Sequence, residues 1–351
     1  VMAIERTFGA ALNKALRGLE QAGAGFLAED PAWWPTLDVL AGWAAGVRDG
    51  AHAPIPDRTP SHEEAFADVL MDDDGLVVEG GDEAMPASRQ TLMARFLSPS
   101  DSRLWRLLAL LRRGVAAAEL QRVTGMSPWF LSEMERLASL EHRMRAEGPE
   151  LTDETLVLAK RACFSDHDIG AVTGIPAARV RARRQAFGLR PGFAMVDTCA
   201  AEFAAETPYF YATYAAAGSE PEAPPVKRPA ALVIGSGPVR IGQGIEFDYC
   251  AVQAAQTLRE QGASAVMINS NPETVSTDFD ASSRLYFEPL DPESVLEVID
   301  AETPAGSERL PALIQFGGQT PLNLAETLED AGVPTPGIDV DAIDRAEAVS
   351  Y

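Results

Sequence analysis

The sequence predicts a mixed fold: an all-α helical domain, then an α/β, Rossmann-like domain with a parallel sheet. Three observations carry the prediction. Helical periodicity runs from Pro99 to Gly192 and carries a repeated Val-Thr-Gly. Beyond Pro229, short apolar runs alternate with helical stretches over short connections, the pattern of strands alternating with covering helices. The stretch ALVIGSGPVRIGQGIEFD (231–248) passes from an apolar run through glycines into helical spacing, the first arm of a βαβ unit.

Taken in order, Thr7 to Gln21 places Phe8, Ala11, Leu12, Ala15, Leu16 and Leu19 on one helical face, and Gly23 and Gly25 stop it. Asp30 to Val47, with Trp33, Trp34 and Trp43, predicts a helix or helix pair. Residues 50–90 hold Pro54, Pro56, Pro60 and the acidic runs DDDG (72–75) and GGDE (80–83). They read as a solvated loop with one short helix, Ser61 to Met71, and DDDG lacks the spacing of an EF-hand. LLRRGVAAAELQRVTGMSPWFL (110–131) and LAKRACFSDHDIGAVTGIPAARV (158–180) then repeat one plan of helix, glycine turn and helix. Pro208 to Pro229, rich in Ala, Glu and Pro, reads as a linker with a domain boundary near 226. The α/β part follows as strand 231–235, helix 247–261, strands 264–269 and 284–288, helix 292–301, strand 311–316, helix 321–331 and a short strand near 333–338. Its ligand edge lies at the carboxyl ends of the strands, where Gly235, Asn269, Asn271 and Gly317 fall.

Gly235, Gly237, Gly242 and Gly244 make the turn, since a tight bend with close backbone approach favours glycine. The turn is not a standard nucleotide motif. Arg240 stands where G-x-G-x-x-G needs its third glycine, Asn269-Ser270-Asn271 replaces the ribose-binding acid, and no lysine follows Lys227. At 351 residues the chain holds two domains with real cores. Its longest apolar runs are too short to span a bilayer, and Glu5, Arg6, Lys14 and Arg17 break any signal peptide; cytoplasm is the expectation, with no membrane partner. Cys163, Cys199 and Cys250 form no CxxC pair, so neither a disulfide framework nor a zinc site is expected. The net charge is −23, and residues 229–351 hold five arginines, no lysine and twenty carboxylates, which argues against a nucleic-acid partner. A rival reading takes Arg179, Arg181, Arg183 and Arg184 as a recognition helix of a helix-turn-helix regulator fused to a Rossmann-like sensor domain.

GSGPVRIGQGIEFDYC (235–250), INSNPETVSTDFD (268–280), RLYFEP (284–289), QFGGQTPLNLA (315–325) and DAIDRAE (341–347) occur in this order. Together they resemble the large subunit of carbamoyl-phosphate synthetase at the start of its second, carbamoyl-phosphate-forming half. VDTCAAEF (196–203) resembles the end of that subunit's oligomerisation domain, and VMAIERTFGAALNKALRGLE (1–20) the close of its first ATP-grasp unit, with Glu5 where the family has glycine. The resemblance implies the tail of an ATP-grasp unit at 1–21, a helical oligomerisation domain at 22–226 with an insertion at 50–90, and a pre-ATP-grasp domain at 227–351. It implies a ligase acting on bicarbonate, ammonia and two ATP for arginine and pyrimidine biosynthesis, with a glutaminase small subunit and self-association through the helical domain. ATP and Mg or Mn would bind in ATP-grasp units outside this chain, so the chain itself holds neither catalytic residues nor a cofactor or metal site. Residues matching Gly244, Glu246 and Glu273 lie, in the family, along the tunnel that carries carbamate. Read without the resemblance, Gly244 is a turn opening a helix and Glu246 a carboxylate favoured by the helix dipole. A non-catalytic scaffold is the remaining alternative.

Overall fold

The computed structural model describes residues 1–20, 25–45, 89–204, 206–218, 222–239, 244–337 and 342. The expected helix Ser61–Met71, Arg240 and Gly242 lie outside them. The chain divides into two compact units: Val1–Gly25 with Leu156–Ala171 and Ile175–Tyr351, and Phe26–Thr155 with Val172–Gly174.

The second unit is helical. A 3-10 turn, Pro31–Trp33, leads into α2 (Trp34–Ala45); α3 (Arg89–Phe96), α4 (Arg103–Arg112), α5 (Ala117–Thr124) and α6 (Pro128–Glu147) follow. Leu37, Leu40, Leu92, Met93, Leu107, Leu108, Leu110, Leu120 and Leu131 are buried, the apolar stripes that periodicity placed inward. Arg112 reaches Glu29 and Glu141, at 3.2 and 2.6 Å, inside this unit. Gly125 closes α5 in the left-handed region at φ 69°, a conformation that glycine adopts without a Cβ penalty.

The first unit carries the sheet. Its strands are β1 (Gly192–Met195), β2 (Tyr209–Thr213), β3 (Ala230–Ile234), β4 (Ser264–Asn269), β5 (Arg284–Phe287) and β6 (Ala312–Leu313). They lie in the order β1-β2-β5-β4-β3-β6, all parallel except β1, which runs antiparallel to β2. The sequence predicted the parallel part; β1 and β2 extend it, and Tyr209–Thr213, read as the start of a linker, is a strand paired to β5. Alternation decides the layers: Leu232, Ile234, Val266, Ile268 and Tyr286 pack one face, and Val233, Ala265, Met267, Leu285 and Phe287 the other.

Helix α1 (Phe8–Gly18) is capped by Thr7, whose side chain accepts from Ala10 N. After it, α7 (Asp153–Arg161), α8 (Asp166–Thr173) and α9 (Ala177–Ala186) complete the second copy of the repeat, with Gly174 at φ 76° matching Gly125 of the first. Helix α10 (Ile245–Glu260) follows β3, and α11 (Pro292–Ala301) follows β5 behind an Asp291 cap and a proline at its first position. The expected helix 321–331 is broken into α12 (Gln319–Leu322) and α13 (Ala325–Asp330), because Leu324 N–H turns to Pro321 O. Among the described residues no strand covers 333–337; Pro334 O takes one bond from Ala312 N–H and the pairing goes no further.

Candidate functional site at the glycine turn

The strand order reverses at β3, which pairs β4 on one side and β6 on the other, so the loops after β3 and β6 meet at the switch point of the sheet. A Cβ on Gly317 would overlap Gly235 O and lie 2.7 Å from Ile234 O, so the two loops touch at the backbone. On Gly235 it would lie 2.7 Å from Asn269 Nδ2. Both positions therefore require glycine for space.

Asn269, at the end of β4, organises the turn. Its Oδ1 accepts from the N–H groups of Gly237 (3.1 Å), Ser270 (2.8 Å) and Asn271 (3.3 Å), and its Nδ2 donates to Ser276 Oγ (3.0 Å) and Thr274 Oγ1 (3.3 Å). Asn271 Nδ2 donates to Gly237 O (3.2 Å), and the Ser276 N–H donates to Asp248 of α10 (3.3 Å). Every one of these groups is buried. The Gly237 N–H, which a phosphate-binding turn would offer to its ligand, is spent on Asn269. The Glu20 carboxylate also occupies the space beside Gly237, and Thr320 Oγ1 donates to its Oε2 at 2.6 Å. These residues do not fit a nucleotide phosphate.

Gly244 sits before α10 at φ −92° and ψ −170°, extended backbone open to any residue, so conformation is not its reason. A Cβ there would overlap the carboxylate of the exposed Glu246, which folds back over the helix start and would have to shift. Glu246 and Glu273 are both exposed, the first on the opening turn of α10 and the second in the 270–278 loop tied to α10 through Asp248 and Ser276. Gln319 opens α12 and donates to Asn323. Among the described residues no group of three or more His, Cys, Asp or Glu is placed to hold a metal ion, and no helix is long and apolar enough to cross a membrane.

A model of the carbamoyl phosphate synthase pre-ATP-grasp domain matches residues 227–345, and a model of the carbamoyl-phosphate synthetase large-chain oligomerisation domain matches 62–188. The chain is 45% identical to the carbamoyl phosphate synthase large chain of Thermomicrobium roseum over 99% of its own length and 27% of that protein. The large chain of Rhodopirellula baltica is 40% identical over the same shares, and that of Myxococcus xanthus 49% identical over 71% of this chain and 22% of its own. The chain belongs to the carbamoyl phosphate synthase large-chain family. It spans about a quarter of the length of these relatives.

Family membership and the structure together dispose of the DNA-binding alternative. Arg184 is fully buried, with its Nε and Nη2 on Asp166 and Nη2 also 2.8 Å from Glu297; Arg181 lies 3.6 Å from Asp300. Two of the four arginines on the supposed recognition helix therefore serve the protein's own carboxylates. The same network includes Lys160, buried between Asp166 (3.0 Å) and Glu293 (2.6 Å). Burial alone would raise the Glu293 carboxyl; Lys160, Arg17 and Arg184 overcome it and hold it far below the usual range.

Glu5, where the resemblance leads one to expect glycine, is bonded within this chain. Its side chain is buried, accepting from Thr213 Oγ1 (3.0 Å) and Cys163 Sγ (3.4 Å), 4.0 Å from the Lys14 ammonium that also binds Glu288 at 2.8 Å. Burial pushes the Cys163 thiol up to about 12, so it is no nucleophile at neutral pH. Sequence reasoning put Asn269 and Asn271 at the ligand edge but missed their part in closing the turn, and it missed Glu20 altogether. A lone acid after a helix carries no local signal for a partner 300 residues away.

Proposed function

We propose that this chain is the central part of a carbamoyl phosphate synthase large chain, which makes carbamoyl phosphate from bicarbonate, ammonia released from glutamine, and two ATP. The two family matches, which fall side by side in the order of a large chain, carry this reading. In it, residues 1–21 close a first ATP-grasp unit, 22–226 form the oligomerisation domain and 227–351 the pre-ATP-grasp domain of the second half. The enzyme works in the cytoplasm, supplies arginine and pyrimidine synthesis, pairs with a glutaminase small subunit and self-associates through the helical part. ATP and Mg or Mn bind in ATP-grasp units outside this chain, and no step of phosphoryl transfer falls to its residues.

What falls to them is passage of carbamate between the two centres, with Gly244, Glu246 and Glu273 beside the path. A glycine keeps such a path open, carboxylates order its polar lining, and water must be kept from an intermediate that decomposes in it. The overlap between a Cβ at 244 and the Glu246 carboxylate supports the pairing of these two residues in one role, since any side chain at 244 displaces Glu246. In the full-length enzyme, Gly244→Phe or Glu246→Ala should leave bicarbonate-dependent ATP turnover nearly intact, while carbamoyl phosphate formed per ATP consumed falls sharply. If coupling survives and ATP synthesis from carbamoyl phosphate and ADP collapses instead, these are residues of the fold and the channelling role is wrong.

A further inference from the structure

The contact between Glu20 and the glycine turn joins three segments far apart in the chain. Glu20 follows α1, Gly237 lies in the turn after β3, and Thr320 lies in α12 after β6. The Thr320 hydroxyl donates to Glu20 Oε2 at 2.6 Å, the short distance expected of a charge-assisted bond. Glu20 Oε1 takes the space that a Cβ on Gly237 would need, and Gly237 itself stands at φ 67°. Glu20 has φ 52°, a left-handed conformation that a non-glycine residue keeps only when its surroundings hold it there.

The helix behind Glu20 is firmly seated. Arg17 Nη2 lies 2.6 Å from Asp291 and 2.9 Å from Ser294 Oγ at the start of α11, and Lys14 is buried against Glu288. The carboxylate is therefore delivered from a fixed helix end, and it lands where the loops after β3 and β6 already touch through Gly317 and Gly235.

We infer that Glu20 is a positioning residue for the glycine turn: by bridging the end of α1, Gly237 and Thr320 across the switch point, it holds Gly237 in place at the ligand edge, on the segment between β3 and α10. Its position beside a Gly237 N–H already bonded to Asn269 makes it a filler and strut at the ligand edge. The inference rests on the channelling reading above and names a residue that reading did not include.

The test uses the full-length enzyme carrying Glu20→Ala, Glu20→Asp, Glu20→Gln or Thr320→Val. Three quantities are compared: carbamoyl phosphate formed per ATP consumed, bicarbonate-dependent ATP turnover, and ATP synthesis from carbamoyl phosphate and ADP. Glu20→Ala and Thr320→Val lose the bridging bond, and Glu20→Asp is too short to make it; the coupling ratio should fall about threefold or more in all three while both partial reactions persist. Glu20→Gln still accepts from Thr320 and should restore coupling to within about twofold of the parent. An unchanged ratio in Glu20→Ala, a Glu20→Gln as defective as Glu20→Ala, or loss of both partial reactions along with the ratio each overturns the inference. Gly244→Phe separates it from its premise. If that variant uncouples the enzyme and Glu20→Ala does not, Glu20 is not a positioning residue and channelling stands. If neither uncouples it, channelling fails and the inference fails with it.

Discussion

The cluster around Lys160 and Arg184 is assembled from full charges, whereas the one around Asn269 is assembled from amides and hydroxyls. Both are buried in the same α/β unit. In the first, two cations and the carboxylates of Asp166, Glu293 and Glu297 hold α7, α8 and α9 against α11. In the second, one asparagine side chain satisfies three backbone N–H groups and two hydroxyls at the carboxyl edge of the sheet. Paired full charges carry the helix packing, whereas the bonds that converge on Asn269 at the ligand edge come from neutral groups, with the Asp248 and Glu20 carboxylates beside them. The difference matters for failure. Removing one ion strands another in a low-dielectric interior, whereas removing one amide leaves neutral groups unpaired.

Breaking the charged cluster should therefore cost most. Arg184→Met leaves Asp166 with only Lys160 and strips Glu297 of its closest cation; urea unfolding should show a loss of about 3–5 kcal/mol. A loss below about 1 kcal/mol would mean that the network is hydrated and behaves like a surface pair. Next comes Asn269→Ala, which orphans the Gly237, Ser270 and Asn271 N–H groups and should cost about 2–3 kcal/mol in the same assay. If it equals the arginine variant, the contrast between the two clusters is void.

The smallest effect sharpens the contrast from the helical unit. The Thr152 N–H and the Thr155 hydroxyl, with Arg143, hold the Glu147 carboxyl at about 2 against an ordinary 4.5. A depressed carboxylate stabilises the fold above its unfolded value and loses that contribution as pH falls through the folded one. Glu147→Gln should cost about 0.5 kcal/mol at pH 7, small because the pair is partly solvated, and nothing below about pH 2. A penalty that stays constant from pH 7 to 2 would assign the effect to packing.

Much of the α/β part was legible because local rules and tertiary needs agree there. Ser264–Asn269 and Pro292–Ala301 fall where periodicity put them, the first a nearly all-buried apolar run, the second announced by Asp291 and Pro292. The glycines and asparagines of the ligand edge were legible for the same reason. Tyr209–Thr213 was not, since a five-residue strand beside a proline-rich stretch owes its existence to pairing with β5, far along the chain. Helix α1 was read correctly as amphipathic, but local sequence named no neighbour for its stripe. The structure seats Lys14 against Glu288 and Arg17 against Asp291 within this chain, contacts that no window of local sequence contains.

That seating has a consequence for the order in which the molecule assembles. Lys14 and Glu288 are separated by 274 residues, so the helix bearing Lys14 leaves the ribosome long before its partner exists. At translation rates of about 5–20 residues per second the wait is roughly 15 to 55 s, far longer than helix formation or collapse requires. Through that interval Lys14 lacks its Glu288 partner, and closing a loop of 274 residues carries a large entropic cost. Helix α1 is thus made long before the contacts that seat it, and the yield of folded protein depends on what shelters it meanwhile.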